Sequence, residues 1–356
     1  MSRPTGIGRH TASLMSALAA NAPEVSVHHV RHPRLDRIQP HALRRAMYLA
    51  WLASGIPGAR LRRTLDLVHF TNYHVAPWKP RGLRYAATIH DLVPFRMPDS
   101  KSRRYTAYLR RSIVQALRVG DVVFAPSYAV RDEMVAEFRV GVDAIHVVYV
   151  PAVLTSLRAP EARSQLRRVF PELGDAPFVL SVGTLERRKN LVALLRGLSG
   201  LPAALDDLHV VLAGRPGLGY ASIADAAAAV DVRRHRVHIL TDCSDEDLRA
   251  LYSVCEAFVL PSLYEGYGIP LLEAMQCGAP IVASDIPTSR ELAGDAAVIV
   301  PPTPDGIAEG IAAVLESTGL RAALVARGRA RVSAFTLEQT SRQLLEGYRS
   351  VLAPPR

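Results

Sequence analysis

Cysteine is scarce in this sequence, with Cys243, Cys255 and Cys277 the only three in 356 residues. Their spacing fits neither a zinc ribbon nor a redox C-x-x-C pair, so they read as reduced, mostly buried small apolar residues. A chain this long buries enough surface to need no disulfide staples. Long apolar runs are missing as well: the longest, at Asp121 to Pro126, Phe178 to Val182 and Ala257 to Pro261, are strand-sized, far below the roughly 20 residues of a spanning helix. No apolar segment of the secretory type follows Met1, which gives the expectation of a cytoplasmic location. The phosphate-loop pattern GxxxxGK[ST] is absent, which argues against a nucleotide triphosphatase. Acidic residues are in deficit, 33 against 43 Lys and Arg, for a formal net charge of +10. That potential attracts nucleotides, nucleic acid or acidic headgroups without choosing among them.

The positive excess lies in the first half, over Arg31 to Arg63 and again over Lys101 to Arg118. No recognition-helix module and no aromatic-interleaved basic strip accompanies it, so nucleic acid is not an expected partner. Met47, Tyr48, Trp51 and Leu52 lie among arginines in Ala42 to Leu65. That stretch reads either as a basic membrane-surface element or, slightly favoured because Gly55, Pro57 and Gly58 interrupt it, as two short packed helices. The first of these readings carries the expectation of peripheral contact with the anionic inner face of the plasma membrane. His28, His29 and His32 have no Cys or carboxylate in ligand spacing and read as a surface strand; no metal site is expected.

What is present is ordinary for a globular protein, 49% hydrophobic and 21% charged residues, which rules out wholesale disorder, collagen and coiled coil. Strand-like and helix-period segments alternate throughout, giving an α/β fold with parallel sheets. The first half offers strands at Val25 to Val30, Leu67 to Phe70, Tyr85 to Ile89, Val122 to Ala125 and Ile145 to Val148. The second offers Phe178 to Val182, His209 to Ala213, Val237 to Leu240, Ala257 to Leu260, Pro280 to Ala283 and Ala297 to Val300. Between them, Val150 to Pro177 is proline-punctuated and suits a hinge plus one helix near Glu161 to Val169. Two Rossmann-like domains facing one another across an interdomain cleft follow, with ligands expected at strand C-termini. Only Met1 to Arg3 precede Pro4-Thr5-Gly6, so the strand expected before that glycine loop is missing; either the start is set downstream of the real one or the sheet is completed differently.

The most informative segment is Pro261-Ser262-Leu263-Tyr264-Glu265-Gly266-Tyr267-Gly268-Ile269-Pro270-Leu271-Leu272-Glu273. Glu265 sits in the loop and Glu273 about one turn inside a helix, a poor arrangement for paired glycosidase carboxylates. It suits a ligand with separated hydroxyls and an anion seated on the amides of Gly268, Ile269 and Leu271. On spacing alone, a helix cap and a surface residue fit equally. Gly183 followed by Arg187-Arg188-Lys189 at a strand end is an anion site or a solvated basic turn. Gly6 and Gly8, in Thr5-Gly6-Ile7-Gly8-Arg9 ahead of a helix from about His10, let main-chain amides approach a phosphate or sugar; as a lone motif the pair is weak. His90, in His90-Asp91, stands at a strand end, where a lone histidine is more often structural than catalytic.

Together these residues resemble glycosyltransferase family 4, the retaining nucleotide-sugar transferases of the GT-B fold, mannosyltransferase-like branch. The likeness runs through Thr5 to Arg9, Asp66 to Tyr73, His90-Asp91-Leu92, Val182 to Glu186, Arg188-Lys189-Asn190, the pair Glu265 and Glu273, Cys277 to Ser284 and Glu291 to Ala297. The resemblance implies catalytic roles for His90, Glu265 and Lys189. Lys189 and Arg188 would bind the donor diphosphate, Glu273 the ribose and Glu265 the donor sugar. Gly6 and Gly8 would cover the phosphates, and His90 would contact the transferring sugar. The implied donor is a nucleotide diphosphate sugar, GDP-mannose ahead of a UDP-sugar, with no cofactor or metal required. The implied acceptor is a glycan or a lipid-linked molecule in surface polysaccharide or glycoconjugate synthesis. The last helix would return to the N-terminal domain, making the domains 1–153 plus 337–356 (acceptor-binding) and 154–336 (donor-binding). Departures from the family pattern are Thr184 in place of an arginine, Tyr149 to Val153 in place of Pro-Gly-Val-Asp, and Leu240 to Ser244 in place of a glycine-aromatic turn. Alternatives are a sugar-nucleotide epimerase or hydrolase of the same fold, and a catalytically silent transferase-like partner.

Overall fold

A computed structural model describes residues 6–27, 65–76, 79, 81–230 and 236–352. The chain divides into two compact units, one comprising Met1–Pro98, Ser102–Val150 and Thr336–Arg356, the other Asp99–Lys101 and Pro151–Phe335.

In the first unit a parallel sheet has the order β1-β2-β3-β4, formed by Leu67–Phe70, Arg84–Thr88, Val122–Ala125 and Ile145–Val147. The two central strands are almost wholly apolar and buried, Tyr85 to Ala87 and Val122 to Ala125, as parallel strands covered on both faces require. Helix Gly6–Asn21 packs against the last helix, Leu337–Leu352, which itself lies on β2, β3 and β4. Gly347 makes this possible, because a Cβ there would lie 2.5 Å from the Phe124 ring. Thr340 Oγ1 also donates to the Tyr149 carbonyl at 2.7 Å. Its amphipathic pattern alone does not assign this helix to either unit; the small residue facing an aromatic strand fixes it here.

Two expectations change. Residues 25–27 form no strand and 28–30 lie outside the described residues. Gly6 and Gly8 are not in a loop: both already lie in helix Gly6–Asn21, expected only from about His10, since glycine can take right-handed helical backbone as well as a turn. The clusters His28, His29 and His32, the arginines of 31–63, and Met47, Tyr48, Trp51 and Leu52 also lie outside the described residues.

The second unit carries six parallel strands in the order β10-β9-β8-β5-β6-β7. They are β5 (Phe178–Val182), β6 (His209–Ala213), β7 (Val237–Leu240), β8 (Ala257–Leu260), β9 (Ile281–Ser284) and β10 (Val298–Val300). Strand bounds differ from the sequence reading by a residue at β9 and β10, and the linking helix begins at Ala159 rather than Glu161. The central strands are continuous apolar runs, Phe178 to Leu180, Val210 to Leu212 and Phe258 to Leu260. The sheet grows from β5 in one direction through β6 and β7 and in the other through β8, β9 and β10. The connections therefore diverge between β5 and β8, the topological switch point where open α/β sheets bind ligands at the strand carboxyl ends.

Candidate functional site

The loops leaving β5 and β8 meet at that switch point. After β5, Gly183 to Glu186 leads into a single 3-10 turn, Arg187–Lys189, closed by Asn190 in the left-handed region (φ 55°, ψ 30°). The Asn190 side chain donates to the Pro302 carbonyl at 3.0 Å. After β8, Leu263 N–H donates to the Arg188 carbonyl at 2.9 Å, tying the two loops together. Gly183 leaves room for the lysine: a Cβ there would lie 3.1 Å from Lys189 Cε and 3.3 Å from Nζ.

Lys189 is 8% exposed and Glu265 likewise 8%. Lys189 Nζ lies 2.5 Å from Glu265 Oε1, and Arg188 Nη1 lies 2.8 Å from Glu265 Oε2. Ser262, fully buried, donates its hydroxyl to Glu265 Oε1 at 2.7 Å. The same Arg188 Nη1 donates to the Tyr264 carbonyl at 2.7 Å, while its Nε and Nη2 reach Glu186 Oε1 at 3.1 and 2.9 Å. Lys101 pairs with the other Glu186 oxygen at 3.2 Å. Burial would raise the Glu265 carboxyl, but the charges of Lys189 and Arg188 outweigh it and hold it at about 2. Burial lowers the Lys189 ammonium, opposed by Glu265. Glu186 is held below the usual range, burial again being overcome by Arg188 and Lys101. Two cations of the basic turn, Arg188 and Lys189, are thus engaged by carboxylates, while Arg187 is exposed.

Glu265 is anchored through its backbone too, its carbonyl accepting from Thr288 Oγ1 at 2.7 Å. Gly268, at φ 112°, caps helix Ile269–Cys277, a backbone conformation that glycine takes without strain. Leu271 N–H donates to the Gly268 carbonyl at 2.9 Å. The expected anion seat therefore loses Leu271 as a donor, and Pro270 has no N–H to offer. Glu273, 2% exposed, accepts from the Tyr252 hydroxyl at 3.2 Å; a surface residue it is not. Cys255 and Cys277 nearby are buried thiols, Cys277 pushed up to about 12 by burial and then by the Glu273 charge. At the opposite strand ends of this unit a cavity of about 530 Å³ is lined by Arg163, Cys255, Glu256, Arg321 and Arg329 among others; Arg188, Lys189, Glu265 and Glu273 do not line it.

In the first unit, His90 follows β2. Its Nε2 lies 2.9 Å from the Thr71 carbonyl; a carbonyl only accepts, so the proton is on Nε2 and Nδ1 is the acceptor nitrogen. The Thr71 hydroxyl receives a hydrogen bond from Thr11 at 3.0 Å, which joins helix Gly6–Asn21 to the same loop. One residue earlier on that helix, His10 packs edge-on to His90 with ring centroids 4.7 Å apart. His10 is 3% exposed, and neither of its ring nitrogens has a hydrogen-bond partner. His69 at the end of β1 is bonded through Nδ1 to the Tyr348 hydroxyl at 2.7 Å and through Nε2 to the Thr88 hydroxyl at 2.8 Å. Burial lowers all three imidazoles, His69 to about 3, so the cluster is uncharged at neutral pH.

The sequence motifs located Arg188, Lys189 and Glu265, which come together, but missed Ser262, Glu186, Tyr252, His10 and His69. His10 had a readable signal: it stands on the buried stripe His10, Ser13, Leu14, Ala17, Leu18, where an imidazole among apolar residues at helical spacing demands a reason. Among the described residues, no group of three or more His, Cys, Asp or Glu side chains is arranged to hold a metal ion. Nor is any described helix long and apolar enough to cross a membrane.

Comparison with known proteins adds an independent line. The family model described as "Glycosyl transferases group 1" matches residues 162–331, and "Glycosyltransferase Family 4" matches residues 4–152. The chain is 29% identical over 273 residues to O-antigen chain mannosyltransferase B of Escherichia coli, covering 75% of this chain and 70% of that protein. It is 28% identical to the serotype-specific mannosyltransferase WbdA of Escherichia coli over 78% of this chain, but spans only 34% of that longer protein. Among solved structures, sucrose-phosphate synthase from Thermosynechococcus elongatus superposes with a TM-score of 0.75 at 21% identity, covering 98% of this chain and 94% of that one. Anabaena Alr3699/HepE in complex with UDP and glucose gives 0.70 at 21% identity, over 83% and 81%. These likenesses give the fold as GT-B.

Proposed function

The chain belongs to glycosyltransferase family 4, and from that premise we propose that it is a retaining transferase carrying a hexose, mannose first, from a nucleoside diphosphate to a glycan or lipid-linked acceptor in surface polysaccharide synthesis. The observation that carries the reading is the Arg188–Lys189–Glu265 cluster at the switch point of the second unit. Lys189 and Arg188 take the diphosphate, with the Gly268 and Ile269 amides at the helix N-terminus adding donors. Glu273, held by Tyr252, takes the ribose diol, and Glu265 the sugar hydroxyls. In the first unit Gly6 and Gly8 offer the amides of a helix N-terminus to the phosphates, and His90 presents Nδ1 to the transferring sugar.

In this reading the bond from sugar to diphosphate breaks as the acceptor oxygen attacks from the same face. The departing phosphate oxygen receives the acceptor proton while Lys189, Arg188 and the helix dipole stabilise its growing charge. Mannose as the sugar is supported by the mannosyltransferases named among the relatives, and GDP-mannose is the donor placed ahead of a UDP-sugar. Thermal-shift screening against GDP, UDP and their sugars is the test, since a ligand that binds only the folded chain raises Tm. We expect GDP and GDP-mannose to give the largest rise and Lys189→Ala to abolish most of it. No shift with any nucleotide would defeat the reading; product from donor without acceptor would redirect it to a hydrolase or epimerase.

A further inference from the structure

We propose that Glu265 is the resident counter-ion of the diphosphate seat: without ligand its carboxylate occupies Lys189 and Arg188, and an incoming nucleoside diphosphate displaces it. The inference rests on the donor-site reading above and adds what that site does before the donor arrives.

A charge inventory leads to it. Three cations, Lys101, Arg188 and Lys189, face two carboxylates, Glu186 and Glu265, so the two cations that the sequence assigns to an anion already have carboxylate partners. An isolated ammonium as buried as Lys189 is costly, and the fold supplies its compensation from within. The two carboxylates are not equivalent. Glu186 holds Arg188 through two bonds to one oxygen and Lys101 through the other, whereas Glu265 is the direct partner of Lys189. Beyond the two cations, its carboxylate is held by the Ser262 hydroxyl. A diphosphate offers the same thing in the same place: anionic oxygens that bridge an ammonium and a guanidinium. Exchange at Glu265 leaves Glu186 to orient Arg188. It also releases a carboxylate, a strong acceptor for hydroxyl groups, beside the newly bound phosphates. Diphosphate binding and sugar recognition are thereby coupled through one side chain, and a nucleoside without phosphates leaves Glu265 where it is.

If instead Glu265 simply orients Lys189, its removal weakens nucleotide binding; if it competes, removal strengthens it. The experiment is calorimetric titration of GDP, UDP and guanosine into the full chain, comparing wild type with Glu265→Gln and Ser262→Ala. Removing a negative charge a few ångströms from the ligand at intermediate dielectric is worth about tenfold or more in affinity. Glu265→Gln is therefore expected to bind the diphosphates about tenfold more tightly while guanosine is unchanged and sugar transfer falls. Ser262→Ala, which loosens the carboxylate without touching a charge, is expected to tighten diphosphate binding by roughly two- to threefold and keeps the test open if the glutamine variant misfolds. Unchanged or weaker diphosphate binding in both variants overturns the proposal and leaves the donor site standing. If wild type and variants all bind neither GDP nor UDP, the donor reading itself fails and takes this one with it.

Discussion

Acid should loosen the second unit through one carboxyl in particular. Glu265 is buried and held at about 2 against an ordinary 4.5, a depression worth about 3 kcal/mol at roughly 1.4 kcal/mol per pKa unit. Because the folded value lies below the unfolded one, this stabilisation is complete above pH 4.5 and is lost as the pH falls towards 2. At pH 3.5 most unfolded chains have already taken up the proton and most folded ones have not, so about 1.4 kcal/mol of it is gone. Glu265→Gln cannot lose what it lacks. Urea unfolding followed by circular dichroism, at steps from pH 7 to pH 3.5, should show the variant less stable by about 3 kcal/mol at neutral pH. The gap should narrow by about 1.4 kcal/mol at the acid end. A gap that stays constant over this range refutes the assignment of Glu265 as an ionised partner of Lys189 and Arg188.

Replacing His90 by Ala should lower turnover by tenfold or more while GDP affinity, measured by titration, stays within about twofold, because the proposed role of His90 is toward the sugar and not the diphosphate. Tyr252→Phe removes a neutral donor to a buried carboxylate and should cost about 1.5–3 kcal/mol in chemical denaturation, with a several-fold loss of nucleotide affinity if Glu273 then leaves the ribose. Gly347→Ala drives a methyl into the Phe124 ring; overpacking of this kind costs about 1–3 kcal/mol, and a melting curve should show Tm down by several degrees.

Much of the second unit could be read in the chain because its strands are buried on both faces and spell uninterrupted apolar runs, as at Phe178 to Leu180 and Phe258 to Leu260. Lys189 and Glu265 were both visible as residues of interest, yet their pairing was not: they lie 76 positions apart, and only the strand order that places β5 beside β8 brings them together. The start of helix Gly6–Asn21 was misplaced because two glycines in four residues signal a turn as strongly as a helix end. Leu271 reads in the sequence as an amide donor for an anion, yet its N–H donates to the Gly268 carbonyl. His10 passed unremarked because helix periodicity counts apolar residues and is blind to which polar one shares their face.

The first unit is discontinuous in sequence: its sheet is built by residue 147, but helix Leu337–Leu352, which supplies Tyr348 to His69 and seats on Phe124 through Gly347, comes near the end of the described chain. On the ribosome, then, the half that is translated first must wait for the half translated last. The second unit, almost wholly continuous from Pro151 to Phe335, can close its sheet beforehand, reversing the usual amino-to-carboxyl order of domain completion. A nascent chain stalled before Thr336 should accordingly protect the later half from protease and leave the earlier half open to cleavage.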